Sequence, residues 1–321
     1  MTSVSVVIPT RDRSELLATT LRSVLWQRGV DMEVIVVDDG STDATPEVVS
    51  GADDARVALV RREEAGGPSA ARNLGAARAG GEWLAFVDDD DVWAPTKLAR
   101  QVAAADEAAR GWSYVGAVTV DPDLSVVGGR SPPSPEEVVA TLPRSNPIPG
   151  GGSNVVLRRG ELDQVGGFDE RLAQCEDWEL WVRLARSGPP AAVSEPLMGY
   201  RVHTGGTSLD VDGIVRAART IEELHATTLD WGRIHRWLAE SYLRNDRHLR
   251  ALGQFARAAV RGQAAGVASD LLDVVRRRAA RISGEGSAMM TPDRGWAAGA
   301  LPWLRELQRR PPAATGEASA R

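Results

Sequence analysis

Apolar positions follow two alternating periods along the first hundred residues, and that alternation predicts a sheet covered by helices. Residues 4–8 (VSVVI), 33–37 and 83–87 are short runs rich in β-branched and aromatic side chains, as expected of strands buried on both faces, and 57–60 is a further strand. Between the first two, Leu16, Leu17, Leu21, Val24 and Leu25 recur at the spacing of an amphipathic helix over 14–27. Shorter helices are expected at 46–50 and 69–79. Strand alternating with helix implies an α/β fold with a mostly parallel, doubly wound sheet.

The pattern loosens after Asp91. A helix is expected over 94–109, paired strands at 114–120 and 124–127, and a long Gly-, Pro- and Ser-rich loop over 128–152. A strand at 154–157, helices at 159–165 and 177–187 and a last strand at 197–202 complete this part. From Asp210 the pattern is helical. Ala239, Tyr242, Ala251, Phe255 and Ala258 fall where a tetratricopeptide-type hairpin packs its helices, although a plain helix pair accounts for them equally well. Three regions are therefore expected: 1–209, a helical region 210–282, and a poorly ordered tail 283–321 that frays beyond Arg310.

Composition narrows the class. A net charge of −6 argues against a nucleic-acid partner, which needs a basic face. The charge is uneven: about +4 from residue 271 onward against about −10 before it. Cys175 is the single cysteine, so no internal disulfide forms and a reducing compartment is expected. With no leader-like start and no apolar run near the ~20 residues a bilayer requires, the expected location is cytoplasmic, with membrane association open.

The expected strand ends carry the chemistry. Ligands of open parallel sheets bind beyond the carboxyl ends of strands, and Pro9-Thr10-Arg11-Asp12, Asp38-Asp39-Gly40-Ser41-Thr42-Asp43 and Asp88-Asp89-Asp90-Asp91 all follow expected strands. Clustered carboxylates repel unless a cation sits among them. Mg²⁺ or Mn²⁺ is the natural counter-charge, and such ions favour substrates that bring phosphate oxygens.

The four segments VSVVIPTRDR, VVDDGSTD, AARNLGAARA and WLAFVDDDDVW, in this order, resemble the family 2 glycosyltransferases over about residues 1–205. The resemblance implies a GT-A (Rossmann-like) domain and an inverting, metal-dependent, hexosyltransferase-like enzyme. The implied donor is a nucleotide-diphosphate sugar of UDP or dTDP type, and the implied acceptor a saccharide, lipid-linked or small molecule. It also assigns roles. Pro9, Thr10 and Arg11 line the nucleotide pocket, Asp39 accepts from the base, Arg72 approaches the nucleotide and Asp89 takes the ribose. Asp90 binds the metal and Asp88 reaches it through water, although four aspartates stand where three suffice, leaving a second register. Gly152 and Ser153, in the run Gly150-Gly151-Gly152-Ser153, approach the sugar. In Glu176-Asp177 the aspartate is the catalytic base and the glutamate binds the acceptor or sugar, and Trp178 or Trp181 is a stacking platform. His203 is implied near the metal or the diphosphate.

Other readings compete. A sugar-nucleotide pyrophosphorylase needs a Gly-rich loop after the first strand, and residues 9–12 contain no glycine. A non-catalytic or peptide-binding protein with a vestigial sugar-nucleotide domain is the alternative from another class. The helical tail suits either a peptide acceptor or, through Arg276-Arg277-Arg278 and Arg281 with Trp296 and Trp303, peripheral contact with an anionic membrane.

Overall fold

The computed structural model describes residues 2–203, 205–206, 210–244, 247–282 and 294–310. Strand β1 (Ser3–Thr10) is buried on both faces, and helix α1 (Ser14–Leu25) packs over it through Leu17, Leu21 and Val24. Strand β2 (Asp31–Asp38), helix α2 (Thr45–Ser50), strand β3 (Val57–Arg61), helix α3 (Gly67–Arg78) and strand β4 (Trp83–Phe86) follow in alternation. Gly75 lets α3 approach closely, because a Cβ there would lie 2.3 Å from Val7 Cγ1. The apolar runs at β1, β2 and β4 are thus inner strands, whereas β3 is the edge of the sheet and is only partly buried. Each fully buried Val, Ile or Phe in them contributes about 1.5–3 kcal/mol.

The second half is less regular. A two-residue strand β5 (Val92–Trp93) leads into helix α4 (Lys97–Glu107) and the paired strands β6 (Trp112–Val120) and β7 (Val126–Arg130). Residues 128–152 are not one long loop: β7 runs to Arg130, and helix α5 (Pro135–Thr141) is capped by the Ser134 hydroxyl accepting from the Glu137 N–H. A 3-10 turn (Gly151–Ser153), strand β8 (Val156–Arg158), helix α6 (Arg159–Val165), helix α7 (Glu176–Ser187) and strand β9 (Ala191–Arg201) complete this part.

The strands join in the order β3-β2-β1-β4-β8-β6-β9-β5, with β7 added on β6. The first four are parallel as expected, and β6 and β9 pair in parallel. Strand β8 runs antiparallel to both its neighbours, and β5 runs antiparallel to β9, so the sheet is mixed beyond β4. Because β5 pairs across the sheet with β9, the chain between β4 and β5 must cross the strand ends. Asp88–Asp91 make that crossing.

Helices α8 (Val211–Leu224), α9 (Trp231–Arg244), α10 (His248–Ala258) and α11 (Ala264–Ile282) follow. Ala239, Tyr242, Ala251, Phe255 and Ala258 are all buried between them, as the helical spacing required. The tail differs from expectation where it is described. Helices α12 (Arg294–Ala297) and α13 (Leu301–Arg309) pack on the sheet, with Trp303, Leu304 and Leu307 in the same core cluster as β1 and β2. No helix among the described residues is long and apolar enough to cross a membrane.

Candidate active site

A cleft of about 2030 Å³ opens at the carboxyl ends of β1, β2 and β4. At its base, Thr10 Oγ1 donates to Asp89 Oδ2 at 2.8 Å. Arg13 Nη1 lies 3.1 Å from both Asp89 Oδ1 and Asp90 Oδ2. Its Nη2 donates to the Gly205 carbonyl at 2.6 Å. His203 Nε2 lies 2.9 Å from Asp90 Oδ2, so the last loop of this region closes on the aspartates. Pro9 and Arg11 line the cleft as expected, Arg11 half-exposed beside Asp12. The Asp39 carboxylate accepts from the Gly66 N–H at 3.0 Å and the Gly67 N–H at 2.8 Å, and it pairs with Arg62 at 3.3 Å.

The aspartate crossing is held from beneath. The Ser153 hydroxyl accepts from the Asp88 N–H at 2.9 Å and donates to Asp91 Oδ2 at 2.5 Å. The Arg201 N–H donates to Asp91 Oδ1 at 3.0 Å and Arg201 Nε to the Asp90 carbonyl at 2.6 Å. Thr20 Oγ1 lies 2.8 Å from the carbonyls of Asp89 and Asp91. Ser153 is therefore fully buried as a strut of this loop and does not face an acceptor, which corrects the role implied for it.

Carboxylate oxygens of Asp88, Asp90 and Asp91 fall within 4.8 Å of one another. Burial, then repulsion by Asp90, pushes Asp89 up to about 7. Burial also raises Asp88, despite Arg72, and raises Asp91 further. Such a set of hard oxygens, crowded and short of positive charge, fits a divalent cation. Asp91 is buried and taken up by Ser153 and Arg201, so Asp88 and Asp90, which line the cleft, suit direct ligation better.

The opposite wall is helix α7. Its first residue, Glu176, follows Cys175, which adopts a left-handed backbone with φ 57°. The Arg72 guanidinium lies between the two acidic sites, donating to Glu176 Oε1 at 2.5 Å and to Asp88 Oδ1, with Phe168 beneath it at 5.4 Å. Arg72 is only 3% exposed, and it clamps the aspartate loop to α7 while still lining the cleft. Asp177 Oδ1 accepts from the Trp178 N–H at 2.6 Å, and a Cβ on Gly151 would lie 3.2 Å from Asp177 Oδ2. The Gly150–Gly152 backbone therefore flanks this carboxylate and lines the cleft beside it. Burial, then the charge of Glu176, raises Asp177 to about 7.

Neither tryptophan offers a ring face to a sugar. Trp178 is 2% exposed and donates its Nε1 proton to the Leu142 carbonyl at 2.8 Å. Trp181 is buried against Trp112, their ring centroids 6.3 Å apart. Both belong to the core, because α7 turns them toward the sheet. Cys175 is buried and its thiol is raised by burial, the reverse of a reactive cysteine. Thr204, Thr207 and Ser208, which follow His203 in the sequence, lie outside the described residues.

Arg13, Thr20 and Arg201 join the site without having been singled out in the sequence, whereas Asp91, part of the acidic run, is the buried anchor of the crossing. Arg13 sits only three residues past the end of β1, the one local sign of its place; Thr20 and Arg201 act across the fold.

The sequence model described as Glycosyl transferase family 2 matches residues 5–144, and one described as Glycosyltransferase like family 2 matches 138–219. The chain is 35% identical over 218 residues to a succinoglycan biosynthesis protein, ExoO, of Rhizobium meliloti, covering 62% of this chain and 60% of that one. It is 28% identical over 209 residues to the UDP-Glc:alpha-D-GlcNAc-diphosphoundecaprenol beta-1,3-glucosyltransferase WfaP of Escherichia coli, covering 65% of this chain and 80% of that one. Among solved structures, S. aureus TarS residues 1–349 in complex with UDP-GlcNAc superposes with a TM-score of 0.58 at 21% identity, covering 80% of this chain and 81% of that one.

Proposed function

Since residues 5–219 belong to glycosyltransferase family 2, we propose that the protein is an inverting transferase that moves a hexose from a UDP- or dTDP-sugar to a saccharide or lipid-linked hydroxyl. The observation that carries this reading is the Arg72 clamp: one buried guanidinium ties Asp88 on the donor side to Glu176, next to Asp177, on the acceptor side. Two acidic groups with different tasks are thereby held across one cleft. The relatives' names point to the same chemistry, since one of them carries a UDP-glucose donor and a diphosphoundecaprenol-linked acceptor in its name.

In the proposed reaction an Asp177 oxygen takes the proton of the acceptor hydroxyl as the hydroxyl oxygen of the acceptor attacks the anomeric carbon. The carbon–oxygen bond to the diphosphate breaks, and the nucleoside diphosphate leaves from the opposite face with the bond's electrons. Asp88 and Asp90, with His203 beside Asp90, would hold Mg²⁺ or Mn²⁺, which supplies charge stabilisation to the departing diphosphate. Arg13, already on Asp89 and Asp90, is placed to swing onto a phosphate oxygen. Asp39, just past the end of β2, lines the cleft and would accept from the base.

Two measurements test this. Titration calorimetry with UDP, dTDP and GDP, each with and without Mn²⁺, should show one nucleotide binding in a metal-dependent way, with binding lost in Asp90→Ala. Binding that survives chelation would instead give the counter-charge role to Arg13, and no binding at all would sink the transferase reading. Activity should also depend on pH in a defined direction. Asp177 must be ionised to accept a proton, and its value is raised to about 7. kcat/KM should therefore climb as pH rises through about 7 and level off above it, whereas a flat profile between pH 5 and 8 would remove Asp177 from that task.

A further inference from the structure

Seven large apolar side chains are exposed among the described residues, and the five that are more than half exposed all lie between Leu249 and Val275. They are Leu249 at 86%, Leu252 at 53%, Val260 at 87%, Leu272 at 56% and Val275 at 64%. Leu249, Leu252, Ala256 and Val260 recur at steps of three and four residues, which makes one stripe along α10 into the turn after it. The opposite face of the same helix is the buried one, with Ala251, Gln254, Phe255 and Ala258 packed inward.

The charge beside this stripe has one sign. Arg247, Arg250, Arg257 and Arg261 are all exposed, and no acidic residue occurs over 247–269. Between residues 247 and 282 there are eight arginines and two aspartates, in a chain whose net charge is −6. One of the two, Asp270, is occupied by Arg236 through two hydrogen bonds of 2.8 Å. An apolar stripe flanked by unopposed arginines calls for an occupant that is apolar within and anionic at its surface.

We infer that the outer face of α10, led by Leu249, Leu252 and Val260 and flanked by Arg250 and Arg257, docks on an anionic lipid bilayer. The helix lies in the interface and does not span it, since no described helix is long and apolar enough to cross. The place in the fold gives the contact a use. His248, Phe255, Asp270 and Val274 line the far end of the same cleft that begins at the aspartates. Docking through the neighbouring Leu249 would therefore bring that end of the cleft to the headgroup level. The residues differ from those the sequence suggested: Trp296 and Trp303 are no membrane anchors, because their indole N–H groups donate to the Ser194 and Pro196 carbonyls and Trp303 is buried in the core. The side chains of Arg276-Arg277-Arg278 and Arg281 lie outside the described residues.

The test is sedimentation of the full chain with vesicles of phosphatidylcholine alone or of phosphatidylcholine mixed with anionic phosphatidylglycerol. Binding should require the anionic lipid and weaken as salt rises. Arg250→Glu with Arg257→Glu, and separately Leu249→Asp with Leu252→Asp, should each weaken it by about tenfold or more. Nucleotide titration of the same variants reports whether they are folded, and it reads the transferase activity site independently of the lipid contact. No binding to anionic vesicles, or equal binding by all three proteins, would overturn the inference. So would a concentration-dependent dimer that the leucine variant abolishes, which would make a second copy of the chain the occupant.

Discussion

Asp177→Asn is expected to lower kcat by about 10²- to 10⁴-fold, the usual worth of a positioned general base, while leaving nucleotide affinity near that of the unmodified protein. Asparagine keeps the shape and still accepts from the Trp178 N–H, but it cannot take a proton. The same substitution should not cost stability. In the folded protein Asp177 is raised to about 7, above its unfolded value, so its ionised form is held at a cost to the fold. That cost grows as pH rises from the unfolded value through about 7, and the neutral amide removes it. Steady-state kinetics beside thermal unfolding at pH 8 checks both halves: kcat within a few-fold of the unmodified enzyme would take the base role from Asp177.

Arg72→Met should have the largest effect on stability, lowering it by roughly 3–5 kcal/mol, because breaking a buried ion pair leaves uncompensated charge inside the protein. Two carboxylates lose their partner at once, Asp88 and Glu176, and burial already raises Asp88. Lysine should rescue only part of the loss, since a point charge does not span two carboxylates as a planar guanidinium does. Adding Glu176→Gln to Arg72→Met should restore some stability, because one stranded charge is then neutral. Denaturant unfolding of the two single variants and the double variant measures this. Additive losses would mean that Arg72 and Glu176 act separately and that the clamp is not a unit.

Much of this site was legible because its parts obey local rules. Strand β4 reads as a buried run, and the acids that follow it can only lie at its end. Helix α6 falls at the residues its apolar spacing indicates, and α7 begins one residue earlier than expected, at Glu176. Asp88 and Asp90 fall in one carboxylate cluster, and His203 reaches Asp90. The misassigned residues share a cause. Trp178 and Ser153 have the right residue types for ligand contact, yet which side of its element each faces depends on what packs above it.

The sequence by itself determined the strand and helix order to β4, the placement of carboxylates at strand ends, and the small-residue packing of α9 on α10, because each follows from spacing along a single element. The tertiary structure alone decided the mixed pairing of β8, β6, β9 and β5, since apolar period does not encode partner or direction. It also decided that Arg72 joins Glu176 across 104 residues and Arg13 joins Gly205 across 192. It placed α13 in the core while leaving the α10 stripe exposed. Those outcomes turn on which surfaces compete for burial, and only the assembled fold resolves that competition.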